Sequence, residues 1–158
     1  MSWSLLDFHL SNLDDAECLW RPSEKGLTVL KHGSTWYSDW PESEGYEIGP
    51  ANIAWITWHI LFWWSMANDY SFGNAVLKKE DIHWPGDIAK VKEEINNLRD
   101  VWVDGLCNLP DKELFDSKRT RWPFIDKPFY DVASWLNVEL MKNASEIGYC
   151  RFLYASQH

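Results

Sequence analysis

Residues 53–67 read IAWITWHILFWWSMA, and this stretch decides the fold. It is apolar nearly all round, so as a helix it must be covered on most of its sides, as happens in the middle of a bundle. Proline is tolerated in a first helical turn, so Gly49-Pro50 marks the predicted start, and the helix is expected to run to about Asn68. The stretch is shorter than the roughly 20 residues that a membrane span needs, and it contains His59. It therefore predicts a buried core helix.

Three further segments show helical periodicity around this central one. Ser2 to Leu13 places leucines on one stripe, and Pro128 opens a long helix near the end of the chain. Between them, Trp84-Pro85-Gly86-Asp87 starts a segment whose apolar residues recur at steps of three and four: Ile88, Val91, Ile95, Leu98 and Trp102. Four helices with inward apolar faces predict an all-α, four-helix bundle, formed as a single domain over residues 1–158.

The region between the first two predicted helices, residues 14–50, lacks any period and is rich in Gly and Pro. Two short runs, Leu27 to Leu30 and Thr35 to Tyr37, flank His32-Gly33 and predict a small hairpin. Trp20, Trp36 and Trp40 are expected to anchor this long, ordered, Trp-rich loop to the bundle. The chain has 12 tryptophans in all, and we expect some of them to line a cavity or an interface.

Charge and cysteine content narrow the functional classes. The net charge of −9 disfavours binding to nucleic acid and to anionic membrane surfaces. The basic run Lys118 to Arg121 is short and predicts a solvated loop. Cys18, Cys107 and Cys150 are too scattered for a disulfide framework or a zinc knuckle, which favours a reducing, cytoplasmic location. No export signal is predicted at the N-terminus.

Two polar residues interrupt the inward stripe of the last helix. Glu139 and Asn143 are four residues apart, so they share one face with apolar neighbours. The third polar candidate is His59, in the middle of the central helix, and buried polar groups need partners. Either the three residues hold a divalent metal in the bundle core, or they form a hydrogen-bond network that fixes helix register. His9, at the edge of the first helical stripe, is a weaker candidate for the same site.

Several motifs, in this order along almost the whole chain, resemble a known family. They are LWRP at 19–22, WYSDW at 36–40, NIAWITWHI at 52–60, NVE at 137–139, NASEIG at 143–148 and RFLY at 151–154. The pattern is similar to the DinB-like superfamily, in the branch related to the metal-binding domain of mycothiol-dependent maleylpyruvate isomerases.

The resemblance implies an up-down-down-up four-helix bundle that is often a homodimer and belongs to a family named after DNA-damage induction, a stress response. It also implies a zinc or nickel ion held by three histidines, one on the second helix and two on the last. His59 matches the first position, whereas the other two fall on Glu139 and Asn143, so the triad is degraded. In a catalytic version, Trp55, Trp58 and His9 would line the substrate pocket.

Two functions follow as expectations. The first is a divalent-metal-dependent thiol transferase or hydrolase acting on a small-molecule or thiol substrate, in which the ion lowers the pKa of a thiol or water. The second is a non-catalytic small-molecule-binding or scaffold bundle whose His, Glu and Asn side chains form a buried hydrogen-bond network. The sequence leaves open whether the protein is an enzyme.

Overall fold

The computed structural model describes residues 1–43 and 45–158, and helices dominate it, which confirms the all-α class. The helices are α1 (Ser2–Leu10), α2 (Asp15–Leu19), α3 (Ile53–Phe72), α4 (Ile88–Cys107), α5 (Asp111–Leu114) and α6 (Phe129–Ala155). Strands β1 (Val29–His32) and β2 (Thr35–Ser38) form one hairpin, and short 3-10 helices cover Tyr46–Ile48 and Lys79–Asp81. Helix α3 packs against both α4 and α6, and α1 packs against α6. No helix within 1–43 or 45–158 has the length and apolar character needed to cross a membrane.

Helix α3 is the central element, as its composition predicts. It begins three residues after Pro50, because Asn52 caps it: the Asn52 Oδ1 accepts the Trp55 backbone N–H at 2.9 Å. Its buried residues lie on every side of the helix and include Ile53, Ala54, Ile56, Trp58, Ile60, Leu61 and Trp64. The helix also extends one turn beyond the predicted end at Asn68.

Two arginines of the loop before α6 bind that additional turn. The Arg121 guanidinium donates to the carbonyls of Tyr70 at 2.6 Å and Gly73 at 3.2 Å, and Arg119 donates to the Ser71 carbonyl at 3.1 Å. These carbonyls lack partners within the helix, and cations favour a helix C-terminus. The basic run is a loop with Arg121 exposed, as predicted, and its two arginines also hold the end of α3.

The N-terminal region departs from its predicted pattern after Leu10. Helix α1 ends there because Ser11 is extended and Asn12 takes a positive φ of 54°, although Leu13 is still buried. Helix α2 follows, and its cap is the Asp14 carboxylate, which accepts the Glu17 N–H at 2.8 Å. The sequence pattern did not predict this short helix.

A partly buried ion pair connects α1, α2 and α6. Glu17 is 8% exposed, and its two carboxylate oxygens lie 2.8 and 3.3 Å from nitrogens of the Arg151 guanidinium. Arg151 also donates to the carbonyls of His9 at 2.9 Å and Ser11 at 2.8 Å, just where α1 ends. The same guanidinium thus satisfies a buried carboxylate and two helix-end carbonyls.

The predicted hairpin is confirmed, with Val29 paired to Ser38 and His32 to Thr35 across a turn in which Gly33 has a φ of 62°. The Trp-rich loop is anchored to the rest of the molecule at several points. The ring of Trp20 lies 5.6 Å from Tyr154 of α6, that of Trp36 lies 5.2 Å from Trp84, and that of Trp40 lies 5.4 Å from Phe62 of α3. The described parts of this loop, up to residue 43 and from residue 45, are therefore packed against the helices, as expected.

Helix α4 follows the prediction most closely. The Asp87 carboxylate accepts the Lys90 N–H at 2.8 Å and so caps the first turn. The inward residues Ile88, Val91, Ile95 and Trp102 are buried, and Leu98 is partly buried beside them. This agreement follows from the strong contrast between the apolar and charged faces of the helix.

Candidate ligand cleft

A cleft of about 1020 Å³ lies between α3 and α6. Two loops complete its walls, one formed by residues 40–43 and 48–51 and the other by residues 122 and 123. Its volume is at the upper end of the range typical of small-molecule sites. The cleft is therefore the candidate functional site.

Aromatic rings form much of the cleft wall. Trp55, Phe62 and Trp63 come from α3, and Trp40 and Trp122 come from the loops. The Trp63 and Trp122 rings are 4.9 Å apart, the Phe62 and Trp122 rings 5.8 Å, and the Trp40 and Phe62 rings 5.4 Å. The Trp55 indole N–H donates to the Asp39 carbonyl at 2.7 Å, which fixes its orientation. Rings that support one another in this way give a pre-formed apolar surface.

His59 lies in this wall, 9% exposed, and both of its ring nitrogens are hydrogen-bonded. The Trp63 indole N–H, which can only donate, lies 2.6 Å from the His59 Nε2. Nε2 therefore carries a lone pair, and the proton of the neutral ring is on Nδ1. From there it is donated to the Asn143 Oδ1 at 3.1 Å. The Trp55 ring stacks on the imidazole with a centroid distance of 4.9 Å and an interplanar angle of 17°.

The electrostatic surroundings keep His59 neutral. Burial, and then the positive charge of Lys142, lower the pKa of His59 to about 4, whereas the Asn143 hydrogen bond and the Glu139 charge oppose this shift. A neutral imidazole is also what the Trp63 contact requires, because a second ring proton would face the indole N–H. His59 is therefore an uncharged part of the wall at neutral pH.

The structure brings together two of the three predicted metal ligands, His59 and Asn143, and places the third differently. Asn143 is 1% exposed and lines the cleft beside His59. Glu139 is half-buried and does not line the cleft, and its Oε2 lies 2.8 Å from the Lys142 ammonium, one turn along α6. The carboxylate thus neutralises a lysine of the same helix.

The donor set does not fit a divalent metal as it stands. A metal-bound histidine needs a free lone pair, and the Nε2 lone pair accepts the Trp63 N–H. The Asn143 oxygen accepts from His59, and amide oxygens are weak ligands for zinc or nickel. Among the residues that the structure describes, no three His, Cys, Asp or Glu side chains come together in a way that could hold a metal ion.

Of the predicted pocket residues, Trp55 lines the cleft, whereas Trp58 and His9 do not. Trp58 is 1% exposed in the core, where its indole N–H donates to the Ile82 carbonyl at 2.8 Å. His9 lies between α1 and α6, against Gly148 and 5.2 Å from the Phe8 ring. The structure thus places both residues outside the lining of this cleft.

Other cleft residues were missed by the sequence reasoning. Trp63 is four residues after His59 on α3, so helical spacing could have indicated their contact. Trp122 comes from an irregular loop and carries no such signal. Cys150 also lines the cleft, where its thiol donates to the Ala51 carbonyl at 3.5 Å. Burial, and then the Glu146 charge, raise the pKa of Cys150 to about 11, so the thiol stays protonated at neutral pH.

Comparison with known proteins gives one match. The family model for the DinB superfamily matches residues 1–147, which include α1, the Trp-rich loop, α3, α4 and most of α6. The comparisons with curated proteins and with solved structures found no match.

Proposed function

We propose that this chain, which belongs to the DinB superfamily, is a small-molecule-binding protein whose ligand occupies the cleft between α3 and α6. The observation that carries the proposal is the double hydrogen bonding of His59, by which Trp63 and Asn143 use both ring nitrogens. The imidazole then serves to shape the cleft wall, and the aromatic rings supply the contact area for a ligand.

We propose that the helices form the up-down-down-up four-helix bundle implied by the family. The packing of α1 on α6, and of α3 on both α4 and α6, supports this arrangement. In it, the cleft is bounded by two helices whose facing side chains are His59 and Asn143, which is where bundles commonly place their ligand sites.

The chemistry of the cleft favours binding over catalysis. A general base works best with a pKa near the operating pH, and the pKa of His59 is lowered to about 4. A cysteine nucleophile must be a thiolate, and the pKa of Cys150 is raised to about 11. The Glu139 carboxylate is paired with Lys142. These three groups, His59, Cys150 and Glu139, are thus held in an unreactive form or engaged elsewhere.

Binding of an uncharged aromatic fluorophore, N-phenyl-1-naphthylamine, tests the proposal. We expect saturable, one-to-one binding with enhanced emission. Ser145 lines the cleft on α6, so Ser145→Trp should obstruct the cleft and weaken binding at least tenfold. Ser134, exposed on the same helix but outside the cleft, gives the matched control Ser134→Trp, which should bind like the wild type. Equal affinities of the two variants would contradict the proposal.

Membership of the DinB superfamily leaves a second candidate, a metal-dependent thiol transferase or hydrolase, although the Nε2 of His59 is occupied by the Trp63 N–H. It predicts stoichiometric zinc or nickel in protein purified without an affinity tag, and a thermal stability that chelator lowers in the wild type but not in His59→Ala. The binding proposal predicts no stoichiometric metal and an equal loss of stability in His59→Ala with and without chelator.

A further inference from the structure

The charges on the cleft wall are unequal. Among the described lining residues Lys142 is the one cation, and Glu139 neutralises it at 2.8 Å. Glu42 and Glu146 also line the cleft, and neither is in an ion pair within residues 1–43 and 45–158. Because His59 is neutral, it adds no positive charge to offset them. The described lining residues therefore carry more negative than positive charge.

Glu146 is the carboxylate that would gain most from a cation in the cleft. It is on α6, one turn from Lys142 and beside Asn143 and Cys150 in the wall. Partial burial raises the pKa of Glu146, Lys142 opposes this effect, and the Glu139 charge adds to it. A positive group placed in the cleft would stabilise this carboxylate, whereas an anion would be repelled by it.

The aromatic rings of the cleft wall also favour a positively charged ligand. The face of a tryptophan ring attracts cations, and most strongly those with apolar substituents that are easily desolvated. The molecule itself contains such a contact at the edge of the cleft: the Lys79 ammonium lies 4.4 Å from the centroid of the Trp40 ring. Trp55, Trp63 and Trp122 provide further rings along the same wall.

We propose that the ligand of this cleft is a small organic cation, a quaternary ammonium or alkylated amine with an apolar or aromatic substituent. This inference rests on the proposed binding function and adds the ligand class. The rings receive the apolar part and the methyl groups, and Glu146 with Glu42 balances the charge. The overall charge of −9 also favours the approach of cations over anions.

The test uses ligands that match in shape and differ in charge. (3-Hydroxyphenyl)trimethylammonium and 3-tert-butylphenol have the same outline, and 3-hydroxybenzoate supplies the opposite charge. Each compound is added to the full chain with N-phenyl-1-naphthylamine bound, and displacement is followed by the loss of fluorophore emission. We expect the ammonium compound to displace the fluorophore at several-fold lower concentration than the phenol, and the benzoate to displace it least.

Two variants that each remove one negative charge test whether Glu146 causes the preference for the cation. Glu146→Gln removes the charge in the cleft, and the control Glu93→Gln removes one on the exposed face of α4. Glu146→Gln should weaken the ammonium compound about three- to tenfold and leave the phenol unchanged. Glu93→Gln should change the binding of neither compound.

If the fluorophore binds but the ammonium compound has no advantage over the phenol, the cation assignment is overturned while the cleft remains a binding site. The same holds if both variants weaken binding of the ammonium compound equally. If the fluorophore itself fails to bind, the proposed function falls and the cation assignment falls with it.

Discussion

Replacing Asn143 by leucine tests how the buried network contributes to stability. Asn143 is 1% exposed, and its Oδ1 accepts the His59 Nδ1–H at 3.1 Å. Leucine keeps the branched skeleton of asparagine with two methyl groups in place of the amide atoms, so no cavity is created, but the imidazole loses its acceptor. A change of tautomer cannot rescue the ring, because a proton on Nε2 would face the Trp63 N–H at 2.6 Å.

The magnitude follows from the group left without a partner. A buried donor with no acceptor costs about 1–3 kcal/mol, so Asn143→Leu should lower the free energy of unfolding by about 2 kcal/mol. For a chain of this length, this corresponds to a fall in Tm of about 4–8 °C. Chemical denaturation followed by tryptophan fluorescence gives the free energy, and calorimetry gives the Tm.

A double-mutant cycle separates the hydrogen bond from other effects. His59→Leu and Asn143→Leu are measured singly and together, and contacting residues typically show interaction energies of about 0.5–3 kcal/mol. Because removing both partners leaves neither unsatisfied, the double variant should lose clearly less stability than the sum of the single variants. Additive losses, or a loss in Asn143→Leu below about 0.5 kcal/mol, would show that the network does not stabilise the fold. A loss that appears only without chelator would point to a metal instead.

Three further predictions follow. The pKa of His59 is about 4 in the folded protein, against an ordinary value of 6.5, so the unfolded chain binds more protons between these two pH values. The free energy of unfolding should therefore fall as the pH drops from about 6.5 to about 4, by on the order of 3 kcal/mol. His59→Gln, whose amide can both donate and accept, should lose this part of the pH dependence in denaturation curves measured across that range. Arg151→Met leaves the buried Glu17 carboxylate unpaired and should cost about 3–5 kcal/mol, with fast hydrogen exchange at the end of α1; a loss under 1 kcal/mol would show that the pair is dispensable. Gly105→Ala would gain about 1 kcal/mol of helix propensity, yet its Cβ would lie 2.7 Å from ring atoms of Phe72. That ring is held against Trp102, so we expect a lower Tm, and an increase would mean that the ring moves aside.

The sequence predicts the parts of this fold that depend on local periodicity and composition. The strong amphipathic contrast of residues 88–107 places α4, and the apolar run at 53–67 identifies α3 as the central helix. Helix ends are predicted less well, because they depend on contacts from distant segments. Arg119 and Arg121 extend α3 to Phe72 from nearly 50 positions away in the chain, and no pattern within the helix reports that contact.

Local pattern in the sequence predicts some residues of the candidate site and not others. His59 and Asn143 can be identified because they are polar residues on apolar helix faces, and in the structure their side chains are hydrogen-bonded to each other. Glu139 has the same pattern, but its Lys142 neighbour one turn away offers a closer partner than the cleft does. Trp58 and Trp63 look alike in the sequence, and only the packing of α3 decides that one enters the core and the other the cleft.

The indole that covers the Nε2 of His59 has a consequence for the redesign of this site. Histidines placed at positions 139 and 143 would supply two more imidazoles, but the Nε2 of His59 would still be occupied by the Trp63 N–H. A third change, at Trp63, is required before that nitrogen can reach an ion, and this change alone would remove a wall of the cleft. A metal centre designed at this position would therefore have to replace part of the aromatic cleft wall with the ion.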